Sequence, residues 1–226
     1  MTGVTLQDSP AAPAPHPRPA GRAARCAVAA LALAGTAWAV RAVWHLRLSL
    51  AGEPASGPPD QGGGTHRPLN ALEDSYHQVA SLGSAVTAVC AVVFLFWLDR
   101  VRDNARVLSG TQPRYGSFWL LLGWVVPVAN LWIPRGVVAD VHRSVFPERR
   151  LPAVVNWWWG LWLAGLAGSA GIIYSDGTDE IIARAYSGVL PLLAADLFVV
   201  AAAAAAALMV RTLTAAQQEH IARAGY

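Results

Sequence analysis

Residues 117–145, SFWLLLGWVVPVANLWIPRGVVADVHRSV, decide how this chain is arranged. Ser117 to Ile133 is apolar enough to enter a bilayer, yet Pro127, Asn130 and Pro134 interrupt it. A proline inside a helix removes a backbone donor and clashes with the preceding turn, so an unbroken crossing is disfavoured. In Arg135 to Val145, four valines (Val137, Val138, Val141, Val145) share one helical face. Arg135, Asp140, His142 and Arg143 lie off that face, the pattern of a helix lying in the membrane interface.

Four further apolar runs surround this stretch. Of the 226 residues, 54% are hydrophobic and only 14% are charged. The charges are confined between the runs, as expected where lipid is the solvent. The expected membrane domain covers 22–215, with spans at about 26–46, 79–98, 153–174 and 183–210. The 117–134 segment is broken or re-entrant and 135–145 is its interfacial helix. The fold class is therefore all-α: a bundle of four transmembrane helices plus a broken third segment.

Residues 1–21, rich in Pro and Ala, read as a disordered tail, and 216–226 as a short C-terminal tail. The first run has the basic flank of a secretory leader, but its pattern continues past Ala39, so an uncleaved span is preferred. Gly/Pro-rich 51–69 is a loop. Asn70 and Glu73 form a capping box that starts a helix without a breaker before Arg100. Ala71 to Gln78 of that helix stand above the membrane. Two small-residue stripes, Ala80/Ser84/Ala88 and Gly160/Ala164/Gly168, mark expected helix contacts.

Arginine count sets the orientation. All 17 basic residues are Arg. If the third segment turns back, thirteen fall on the cytoplasmic side and four outside; if it crosses, the split is eight to nine. Only the first obeys the positive-inside rule. Both termini are therefore expected in the cytoplasm of a bacterial inner (cell) membrane.

Asp196 lies near the middle of the last span, where a carboxylate needs a partner or water. At ~1.5 Å per residue, Arg41 stands ~22 Å and Asp196 ~21 Å from the inner ends of their helices. The matched depths predict an Arg41–Asp196 pair, acting either as a structural tie or as a proton or ion relay. Several of the ten tryptophans, Trp97, Trp119, Trp132 and the 157–159 run among them, are expected as interfacial anchors. The alternative is a groove for lipid or an aromatic ligand beside Asn156. His66, Glu73, Asp74 and His77 read as solvated loop residues, with a metal site the alternative. No metal spacing, catalytic motif or cofactor-binding loop occurs. Cys26 and Cys90 read as small apolar residues. The modest net charge of +3, with no basic stripe, gives no reason to expect nucleic acid.

The segments WLDRVRDNARVL, GWVVPVANLWIPRGVVADVHRS, VVNWWWGLWLAG and LMVRTLTAAQQE resemble, in this order, the domain-of-unknown-function 4328 family over about 70–220. Pro127, Asn130, Leu131, Trp132, Pro134, Arg143, Trp158 and Trp159 carry the resemblance. It implies a small multi-span membrane protein and no particular activity or cofactor. The expected role is a non-enzymatic scaffold or interaction protein. Beyond the bilayer itself, the expected partners are anionic lipid or a protein at the cytoplasmic arginines, or a second copy. A small oligomeric transporter or channel using Asp196 and the break at 127–134 is the alternative.

Overall fold

A computed structural model describes residues 16–52, 69–126, 128–169 and 189–225. The helices are α1 (Gly21–Ala51), α2 (Ala71–Ser109), α3 (Ser117–Val125), a 3-10 turn (Ala129–Leu131), α4 (Ile133–Val145), α5 (Ala153–Ser169) and α6 (Val189–Arg223). No strand occurs among the described residues. α1, α2 and α6 are long and apolar enough to cross a membrane. They carry many large apolar side chains on their outer surface, including Leu33, Leu82, Val92, Phe96 and Leu208. In water such a surface would aggregate; in lipid it is the solvated face.

The helix ends follow their sequence signals. Asn70 Oδ1 accepts from the backbone N–H groups of Leu72 and Glu73, while Glu73 accepts from Asn70 N–H at 2.9 Å, completing the capping box. Gly110 ends α2 at φ 63°, a left-handed position that glycine occupies without a Cβ penalty. Pro134 sits in the first turn of α4, where its missing N–H costs nothing.

α1 and α6 pack antiparallel along most of their length, α2 lies along α1, and α5 lies along α6. The lateral order is therefore α2–α1–α6–α5, and α2 and α5 share no extensive packing. Fully buried Trp97, Leu98, Val101, Val138, Val155, Met209 and Val210 form a core at one end. The start of α1, the end of α2, α3, α4, the start of α5 and the end of α6 all meet there. Arg18 backbone bonds to Asn104, Asn104 to Gln217, and the Phe146 and His220 rings meet edge-on. The chain thus leaves α2 and enters α5 at the same end of the bundle.

Several sequence expectations need correction. The tail does not run to residue 21 as free chain: Ala20 is buried, and Arg18 N and O both bond the Asn104 side chain. α6 continues through most of the expected C-terminal tail, with Gln217 buried. Ser84 and Ala88 are exposed; α2 instead approaches α1 at Gly83, where an added Cβ would lie 3.8 Å from Ala37 Cβ. On α5 the close approach to α6 is made by Gly165 and Gly168, while Gly160 faces open space. α4 is not merely laid on an interface, because Asp140 and His142 are buried along with its valines. The tryptophans divide: Trp97, Trp158 and Trp159 are core, whereas Trp132 and Trp157 are exposed. Pro127, the 51–69 loop apart from its ends, and residues 170–188, with the outer parts of the last two predicted spans, lie outside the described residues.

Candidate functional site

Two polar constellations stand out. The first is buried between α1, α2 and α6. Asp196 is fully buried and receives the Arg41 guanidinium through both Nε, at 3.1 Å, and Nη2 on Oδ1. Its other oxygen, Oδ2, lies 2.8 Å from His45 Nδ1. His45 Nε2 is in turn 2.9 Å from the Tyr76 hydroxyl. Since a carboxylate only accepts, Nδ1 carries the hydrogen, and in the neutral ring Nε2 accepts from tyrosine. Arg41 also stacks on Trp38 at 3.8 Å, and Trp38 Nε1 donates to Thr87 on α2. Both carboxylate oxygens are therefore engaged, which is what a buried charge requires.

Arg41 and Asp196 meet as their depths predict, but His45 and Tyr76 join them unforeseen. His45 follows Arg41 by four residues and so shares its helical face. That spacing was the available signal. Tyr76 fell in the stretch of α2 expected above the membrane, so nothing pointed to it.

The second constellation occupies the opposite, arginine-rich end. Arg102 is buried and donates from Nη2 to Tyr115 O at 3.0 Å and from Nη1 to Ser117 Oγ at 3.2 Å, fixing the α2–α3 turn. Asp140 accepts from Arg114 N–H at 2.7 Å. Arg135 donates through Nε and Nη2 to Asn156 Oδ1, tying α4 to α5. Trp159 Nε1 donates to Leu131 O, so a buried indole satisfies a backbone carbonyl of the broken segment. Gln217 donates to Val101 O, and Trp97 donates to Thr214.

Of the other sequence candidates, Trp132 is exposed and Arg143 donates to Ala139 O from an otherwise exposed side chain. Asn130 keeps its backbone bond to Val126 O, while its buried Oδ1 has no hydrogen-bond partner among the described residues. Trp158 packs on Trp124 and Phe94. Burial pushes the His142 imidazole below its ordinary pKa, and the nearby Arg149 and Arg143 charges push it the same way. Arg22, Arg25, Arg106, Arg114, Arg149, Arg150, Arg211 and Arg223 are exposed around this end. Cys26 is exposed and Cys90 buried, both as free thiols.

Residues 66–215 match a family described as "Domain of unknown function (DUF4328)". The match takes in α2 to most of α6, and so holds Tyr76 and Asp196; Arg41 and His45 lie before it, on α1. Neither the curated proteins nor the solved structures contain a match to the chain.

Proposed function

This chain belongs to the DUF4328 family, and from that premise we propose that it is a multi-pass cell-membrane scaffold. Its cytoplasmic arginine-rich end recruits an acidic partner, either anionic lipid headgroups or an acidic protein surface. In this reading α1, α2, α5 and α6 cross the bilayer, both termini are cytoplasmic, and 117–145 enters from the cytoplasmic side and returns to it. The protein is not an enzyme.

One observation carries the reading. The chain leaves α2 and enters α5 at the same end of the bundle, where Arg18, Asn104 and Gln217 also meet. Exposed arginines from six separate segments are thereby gathered on one face. Each basic side chain near an anionic leaflet contributes about 1 kcal/mol of attraction. Photo-crosslinkers at Ser144 and Thr212, on the arginine-rich end, and at Leu50, on the opposite end, test this in cells. The expected result is an adduct with an anionic lipid or one defined protein from the first two, lost when Arg106, Arg143 and Arg149 become Gln. Equal capture from Leu50, or capture insensitive to those substitutions, contradicts it.

A second reading, proton or ion transfer, is favoured by the extension of the ion pair through His45 to Tyr76. Purified protein in liposomes decides it: flux that Asp196→Asn abolishes supports transfer, and absence of flux leaves the cluster structural.

A further inference from the structure

Between α2 and α5, which share no extensive packing, lies a cavity of about 270 Å³. One wall is aromatic, with Phe94 from α2 and Trp158 and Trp162 from α5. The facing wall is made of small residues, Gly35 of α1 and Ala203 and Ala206 of α6. The alanine run of α6 leaves this space, because side chains of ordinary size there would fill it. Thr87, the polar side chain of the lining outside its indoles, donates to Gly83 O and accepts from Trp38 Nε1, so its hydroxyl asks nothing of a ligand. The surface that remains is almost wholly apolar.

Size and depth decide what fits. A dry apolar cavity of about 150 Å³ holds one benzene, so this one takes a longer apolar group. It cannot take a helix, whose diameter with side chains is about 10–12 Å. It also lies along the apolar middles of α1, α2 and α6, where the surrounding medium is hydrocarbon. An unfilled cavity forfeits dispersion contacts along its whole lining. We propose that this cavity is a binding site for a single hydrocarbon chain of a membrane lipid, entering sideways between α2 and α5.

The full chain, reconstituted in bilayers containing a phospholipid with a mid-chain diazirine, tests the site. On irradiation, label is expected on buried Phe94 and Cys90 as well as on outward-facing Val92 and Phe96. Ala91→Phe, at the exposed rim of the cavity, is expected to remove the label from Phe94 and Cys90 while that on Phe96 stays. Ala203→Leu narrows the cavity from the opposite wall and should do the same. Label confined to outward-facing residues in the unaltered protein overturns the proposal whether or not either variant folds. So does cavity label that both substitutions leave intact.

Discussion

Asp196 is the residue on which most of the buried polar chemistry turns, since it holds Arg41 on one oxygen and His45 on the other. Removing it leaves the partly exposed Arg41 guanidinium and the fully buried His45 imidazole without their acceptor, so Asp196→Ala should cost about 3–5 kcal/mol. Arg41→Ala leaves Asp196 with His45 and should cost less, and the double variant should cost less than the two single losses added together. Unfolding by denaturant in mild detergent micelles measures all three; strict additivity would mean the pair is not coupled. At the other end, His142 gives a pH dependence. Its lowered pKa means the folded protein binds this proton less readily than the unfolded chain. Stability is therefore full above the ordinary histidine value of about 6.5 and declines as pH falls from there toward the lowered one. Thermal unfolding across that window should show a slope that His142→Gln flattens. The sequence exposed Arg41 and Asp196 because a charge in an apolar run is conspicuous and its depth can be counted. It hid Tyr76, because a tyrosine in an amphipathic helix start carries no such mark.

At the level of elements, helix existence was legible and helix contact was not. The capping box at Asn70, the glycine after α2 and the break before α4 all sit where their chemistry demands. Of the small-residue stripes read from spacing alone, Gly168 meets α6 as expected, while Ser84 and Ala88 face outward and Gly160 faces open space. Spacing gives a periodicity, but which face meets a neighbour depends on a bundle whose order follows from all the helices together. Glycine substitutions separate the two. A Cβ at Gly168 would lie 2.7 Å from Ala195 Cβ, and one at Gly165 2.7 Å from Val199 Cγ2. Gly168→Leu should therefore force α5 off α6 and cost about 1–3 kcal/mol, whereas Gly160→Leu, facing open space, should unfold at nearly the unaltered denaturant concentration. The same micelle unfolding assay checks both. Gly123 is similarly constrained: an added Cβ would meet Ile133 Cγ2 at 2.6 Å, so a large residue there should pry α3 from α4.

For the whole molecule, the decisive proposal is that the chain returns at 117–145 to the side it entered from. The arginine distribution favours it, because a crossing would scatter the basic residues over both sides. The packing supplies an independent reason: α3, of nine residues, reaches only about 14 Å at ~1.5 Å per residue, less than half the ~30 Å hydrocarbon core. Its continuation, α4, packs along α2 and is tied to α5 through Arg135 and Asn156. Neither reason identifies a partner, since recognition of an acidic surface by exposed arginines leaves no compact motif in sequence. The most direct test is the side of the membrane on which the α4–α5 turn lies. With Cys26 and Cys90 replaced by Ser, a single cysteine at Pro147 is exposed in intact and in permeabilised cells to a membrane-impermeant thiol reagent. Labelling is expected only after permeabilisation, with a cysteine at Leu50 labelled in intact cells. Labelling of the Pro147 cysteine in intact cells would mean that 117–134 crosses the bilayer and that the arginine-rich turn before α5 lies outside the cell, contradicting the proposed topology.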